Sequence, residues 1–109
     1  MSKNYSLPLK NSPVDLAQEH IDIVLSILKA FIPDHTVAVI GSRIRGKAKP
    51  TSDLDLVIMN KTPLDTRTLA DLQNAFSNAR LPIKVDIVEW AMTSENFRKI
   101  IEEKNVRIQ

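Results

Sequence analysis

Glycine occurs only twice in 109 residues, at Gly41 and Gly46, so close backbone approaches and turns that need positive φ concentrate in one short stretch. That stretch reads Val39-Ile40-Gly41-Ser42-Arg43-Ile44-Arg45-Gly46 and continues through a basic loop into Ser52-Asp53-Leu54-Asp55-Leu56-Val57-Ile58. The rest of the chain is free to form regular elements, and hydrophobic spacing says which ones.

Ser12-Pro13-Val14-Asp15 has the form of a helix start, with a capping hydroxyl, proline at the first helical position and an acid in the first turn. The helix is expected to run to about Phe31, ahead of Pro33. Val14, Ala17, Ile21, Leu25, Leu28 and Ile32 form one stripe, and Leu16, Ile23 and Ile27 widen it beyond what a single core face needs. Such a helix is either sunk deep in its own core or meets another chain.

Thr36 to Ile40, Leu54 to Met59 and Ile83 to Val88 are β-branched runs bounded by turn residues and read as strands. Leu69, Leu72, Phe76 and Ala79 give helical spacing to 64–79 behind Thr62-Pro63. Thr93 or Ser94 caps a last helix with Phe97, Ile100, Ile101 and the stem of Lys104 on its inner side. The order is helix, strand, turn with a short helix, strand, helix, strand, helix. It predicts an α/β (α+β) domain, with a small mixed sheet of three to four strands and helices packed on one face. A chain of 109 residues builds one core, expected over residues 12–109, behind a flexible N-terminal arm at 1–11.

Fifteen Lys and Arg against 13 Asp and Glu leave a net charge of +2, too little for bulk nucleic-acid binding, and aromatics at 5% leave few platforms for stacked bases. Cysteine is absent, which excludes disulfides and thiolate metal sites. No apolar run approaches the ~20 residues of a membrane span. No apolar signal segment follows Met1, so a cytoplasmic location is expected.

Side chains alternate along a strand, so Asp53 and Asp55 share one face while Leu54, Leu56 and Ile58 share the other. Two carboxylates roughly 4 Å apart repel by about 4 kcal/mol at an effective dielectric near 20, a cost that a hard cation between them removes. Mg²⁺ suits the pair, because it takes one or two carboxylates and completes its shell with phosphate oxygens and water. Gly41-Ser42 directly follows a strand, where backbone N–H groups and a hydroxyl can approach a phosphate. Arg43, Arg45, Lys47 and Lys49 bring cations beside the acids. Asp86 lies within Lys84-Val85-Asp86-Ile87-Val88, an apolar strand that gives an acid no packing role. A neighbouring position would put three carboxylates on one face, enough for two metals in phosphoryl or nucleotidyl transfer. His20 and His35 lack metal-ligand spacing. Trp90 is expected to cap the core, and Glu89 to lie on the face opposite Asp86.

The Gly41-Ser42-Arg43-Ile44-Arg45-Gly46 run and Ser52-Asp53-Leu54-Asp55-Leu56, with Val85 to Trp90 and the closing Ser94 to Arg98 segment, resemble the minimal nucleotidyltransferases of the DNA polymerase beta-like superfamily. The resemblance covers nearly the whole chain; Ile44 departs from it, at a position where a small residue is usual. It implies the polymerase beta-like fold, with Gly41 and Ser42 on the triphosphate of ATP, and Arg43 and Arg45 near phosphates or a partner. It also implies that Asp53 and Asp55 bind two Mg²⁺ ions, and that Asp86 binds the ion activating the attacking hydroxyl or acts as base. Stand-alone proteins of this kind resemble the antitoxin halves of toxin–antitoxin modules, transferring AMP to a tyrosine of a HEPN-domain toxin. The same features leave open a binding module that neutralises its partner by contact, a small-molecule acceptor such as an aminoglycoside, and self-association as a homodimer.

Overall fold

The computed structural model describes residues 13–109. The arm expected at 1–11 and the Ser12 cap lie outside the described residues. Helix α1 spans Gln18–Phe31, strand β1 Val37–Ile40, β2 Leu54–Ile58, helix α2 Thr66–Ser77, β3 Val85–Glu89, helix α3 Glu95–Glu103 and β4 Val106–Arg107. Short 3-10 turns occupy Ser42–Ile44 and Trp90–Met92.

The four strands form one mixed sheet in the order β3-β2-β1-β4. β1 runs antiparallel to β2 and β4, and β2 and β3 are parallel, joined through α2. The two inner strands carry the densest apolar sequence because they are covered on both faces. Leu54, Leu56 and Ile58 are at most 1% exposed and meet Val24 and Leu28 of α1 and Leu72 and Phe76 of α2 in the main core. Burying each such side chain contributes about 1.5–3 kcal/mol. Along β2 only Asp55 escapes full burial.

Three sequence expectations are corrected. α1 begins at Gln18, with Ala17 at its N-cap position and no side-chain cap, five residues beyond the Pro13 start that the capping pattern suggested. Tertiary bonding wins over the local signature: the Asp15 N–H donates to the Arg43 carbonyl at 2.7 Å, and Val14 is buried in the core. α2 starts later than the Thr62-Pro63 signal, capped by Asp65, whose carboxylate accepts from the Thr68 N–H at 2.8 Å. The helices also do not all lie on one face. α1 and α2 cover the leucine face, but Ile101 of α3 packs with Ile40 and Val57 on the opposite face, joined by Val88, Trp90 and Phe97.

α3 is needed there because Val57 and Val88 follow Asp55 and Asp86 at two-residue spacing, so the acid-bearing face is apolar at its other end. Ser94 caps the helix by accepting from the Phe97 N–H at 3.1 Å. Arg98 holds it to the sheet end by donating to the Trp90 carbonyl at 2.9 Å and lying 5.0 Å from the indole centroid. Most of the over-wide apolar arc is spent internally, since Leu16, ahead of α1, and Ile27 both pack on the main core and Ile23 is half-buried. Among the described residues, no helix is long and apolar enough to cross a membrane.

Candidate active site

Strand register brings Gly41, Asp55 and Asp86 together, while Ser42 and Asp53 line neither of the two grooves that Asp55 borders. Antiparallel pairing sets Ile40 opposite Asp55, and parallel pairing sets Asp55 opposite Asp86. Gly41, the residue after Ile40, therefore lies beside Asp55, and Asp86 stands one strand spacing of roughly 4.8 Å away. Asp53, just before β2, is exposed, and its charge reaches Asp55.

Gly41 has φ +85° and ψ −157°, a combination essentially reserved for glycine. Space requires glycine as well: a Cβ at this position would come 2.5 Å from Asp55 Oδ2. The backbone thus passes against the carboxylate with no room for a side chain between them. Ser42 opens the 3-10 turn, and its carbonyl accepts from the Arg45 N–H at 3.2 Å. Among the described residues its hydroxyl makes no hydrogen bond.

Burial pushes the Asp55 carboxyl above its ordinary pKa, and the charges of Asp86 and then Asp53 push it further in the same direction. Asp86 forms an ion pair with Lys84 at 3.2 Å between largely exposed side chains, a pair weak enough to be exchanged at little cost. The cluster therefore has hard oxygen donors, mutual repulsion and no buried cation of its own, which suits a divalent metal. Among the described residues, no three carboxylate or imidazole groups are gathered closely enough to cage a metal by themselves.

Arg43 stands apart from the role its sequence position suggested. It is only 6% exposed, and its guanidinium donates to the carbonyls of Asp15 at 2.7 Å, Lys49 at 3.2 Å, Pro50 at 3.3 Å and Ser52 at 2.9 Å. It braces the loop that delivers Asp53 and Asp55, with its donors turned to backbone. Arg45 is exposed and lines a cleft with Gly41 and Asp55; the same cleft receives Phe97 and Ile100 from α3 and Lys104 from just past its end. Asp55 also borders a second groove along the β3 edge, with Asp86, Lys84 and Gln73 of α2. It is a wall common to both.

Sequence reasoning missed two groups. Lys104, expected only to lay its apolar stem on the inner side of the last helix, stands just past the end of α3 and lines the cleft. The tie between Asn60 and Glu89 carried no motif. Glu89 accepts from Asn60 Nδ2 at 3.0 Å and from the Leu64 N–H, and Asn60 accepts from the Ala91 N–H at 3.0 Å, fixing the far end of β2 to β3.

The family described as "Polymerase beta, Nucleotidyltransferase" matches residues 24–109. This chain belongs to that family. It is a nucleotidyltransferase. The probable protein adenylyltransferase MntA of Haemophilus influenzae is 48% identical over 96 residues, 88% of this chain and 84% of the relative. A Methanocaldococcus jannaschii relative, MJ1217, also named for protein adenylyltransferase activity, is 34% identical over 83 residues, 75% of this chain and 84% of its own. Among solved structures, a toxin-antitoxin with AMP-PNP superposes at TM-score 0.67 with 20% identity, covering 80% of this chain and 70% of that one. A mutant of the toxin-antitoxin MntA-HpeT superposes at 0.66 with 21% identity, over 86% and 72%. At these identities the structures establish the shared polymerase beta-like fold of the nucleotidyltransferase.

Proposed function

We propose that this nucleotidyltransferase transfers AMP from ATP to a tyrosine hydroxyl of a HEPN-domain toxin, with Mg²⁺, and thereby acts as the toxin's antitoxin. The observation that carries the reading is the position of Asp55 between two grooves. One holds Gly41 and free cations, suited to a nucleotide, and the other holds Asp86 along an exposed strand edge, suited to an acceptor. Identity of 48% to a relative named as a probable protein adenylyltransferase supports the choice of AMP and of a protein acceptor. The toxin–antitoxin setting of the structural neighbours supports the partner class.

In this reading the acceptor oxygen bonds to the α-phosphorus of ATP, the bond to the bridging oxygen breaks, and pyrophosphate leaves. Asp86, released from Lys84, accepts the hydroxyl proton. Gly41 lets backbone approach the phosphates with no intervening Cβ, and the free Ser42 hydroxyl donates to a phosphate oxygen. Asp53 and Asp55 would hold Mg²⁺, which when bound supplies neutralisation of the acids and polarisation of the phosphates. The small domain leaves the partner protein to complete the acceptor side of the cleft.

The test is transfer of label from α-labelled ATP, with Mg²⁺, to the protein encoded beside this gene, with wild type compared against Asp53→Ala. Label on the partner, lost in Asp53→Ala while the melting temperature stays level, is the expected result, because the substitution removes an exposed, repulsive acid. A tight complex without label would move the function to neutralisation by contact. Absence of both would point to a small-molecule acceptor.

A further inference from the structure

With the Arg43 guanidinium turned to backbone carbonyls, a polyphosphate entering beside Asp55 needs its positive charge from elsewhere. Lys47 and Lys49 are exposed on the loop but do not line the cleft. Two cations do, Arg45 on the glycine turn and Lys104 at the end of α3. Neither has a carboxylate within ion-pair distance among the described residues, and residues 1–12 contain no acid that could supply one.

We infer that Lys104 binds the phosphate chain of the nucleotide, with Phe97 and Ile100 forming the apolar wall beside it. The inference rests on the nucleotidyltransferase reading of the cleft and adds a residue outside its glycine and aspartate motifs. Phe97 and Ile100 lie at i and i+3 on one stripe of α3, and Lys104, just past the helix end with extended backbone (φ −156°, ψ 122°), lines the same cleft, so aromatic, aliphatic and cationic groups meet there. Ile101, fully buried against Ile40 and Val57, fixes the helix rotation that turns this stripe to the cleft. Ile100 is 50% exposed, an unusual state for isoleucine beside a buried neighbour, and it offers apolar surface to a flat base or ribose. The lysine stem can lie along that wall while its ammonium reaches across to phosphate oxygens. The opposed Arg45 and Lys104 then offset the negative charge that a triphosphate adds to a cleft already holding carboxylates.

The experiment compares wild type, Lys104→Ala, Lys104→Arg and Lys99→Ala, the last removing the same charge from the outward side of α3. ATP binding with Mg²⁺ is measured by calorimetry, and label transfer to the partner is measured over a range of ATP. The expected result is a loss of roughly tenfold or more in ATP affinity and a matching rise in KM for Lys104→Ala, partial recovery in Lys104→Arg, and no change in Lys99→Ala. Melting temperatures should stay level, because the side chain is exposed. Unchanged ATP affinity in Lys104→Ala, or equal losses in Lys104→Ala and Lys99→Ala, would overturn the inference while transfer by the wild type left the proposed function standing. ATP bound by the wild type but not transferred would sink the proposed function, and the affinity ratio would still decide the role of Lys104. Wild type that binds no ATP overturns both.

Discussion

Replacing Gly41 with alanine tests the contact between the glycine turn and Asp55 most directly, and Gly46→Ala provides its control. At Gly41 the backbone angles alone cost a side-chain-bearing residue about 1–3 kcal/mol. The added Cβ would stand 2.5 Å from Asp55 Oδ2, short of an ordinary carbon–oxygen contact by roughly 1 Å, so the carboxylate must move. At Gly46, φ is +72° and nothing lies within 4 Å of a Cβ, so alanine there incurs backbone strain of about 1–2 kcal/mol and displaces no neighbour. At about 4 °C per kcal/mol for a domain of this size, Gly41→Ala should melt roughly 4–12 °C below wild type and Gly46→Ala roughly 4–8 °C below it. AMP transfer, assayed well below both transitions, separates them. A misplacement of about 1 Å at a reacting centre costs on the order of 100-fold, which is the loss expected for Gly41→Ala, while Gly46→Ala stays near wild type. Wild-type transfer by Gly41→Ala, or equal losses in the two variants, would refute the claim that this glycine is required by the position of Asp55.

The bracing role of Arg43 predicts that Arg43→Ala loses roughly 2 kcal/mol or more, since several loop carbonyls lose a charged donor, with faster amide exchange across residues 47–53. An unchanged melting temperature with a selective rise in KM for ATP would instead return Arg43 to the nucleotide. The raised pKa of Asp55 predicts a pH dependence of opposite sign to that of an ordinary paired carboxylate. Between the ordinary value near 3.8 and the raised value the folded state binds more protons than the unfolded one, so metal-free stability falls as pH rises through that window and is level above it. Asp55→Asn should remove this slope and be the more stable protein at neutral pH; parallel stability–pH curves for the two proteins would refute the assignment. Asp65, whose bonds to Thr68 lower its pKa, contributes stability that is lost only as pH falls below the ordinary range, so the two effects occupy different windows.

The three longer strands and the inward face of Leu54, Leu56 and Ile58 were legible because two-residue alternation is a local property. Leu54, Leu56 and Ile58 went to the helices as alternation requires. The place of α3 was also written in β2 and β3, in the apolar Val57 and Val88 that follow the acids on one face, but its signal is easily masked by the charged pair ahead of it. Arg43 could not be read this way. Its partners lie 28, 6, 7 and 9 residues away and are all carbonyl oxygens, which every residue supplies, so no side-chain pattern marks them. The same holds for the start of α1, where Pro13 to Asp15 satisfied a capping pattern yet were drawn onto the Arg43 loop.

Like charges set directly opposite on adjacent strands destabilise a sheet, and a strained glycine packed against a half-buried carboxylate adds to that cost. Here both occur within one register step of each other, at Ile40–Gly41, Asp55 and Asp86. Several other features follow local rules: helices α2 and α3 carry side-chain caps, the leucine face is fully buried, and Asn60 donates to Glu89. Costs of this kind, gathered in one cluster, are expected where function sets the residues, because elsewhere substitution relieves them at no loss. Relief at this cluster must then come from what binds there. Under the proposed function, a cation would remove the repulsion on Asp55 and a nucleotide would lie against the bare glycine backbone. Mg²⁺ and ATP together should therefore raise the melting temperature of the wild type by more than they raise that of Asp55→Asn, although the variant starts from the higher value.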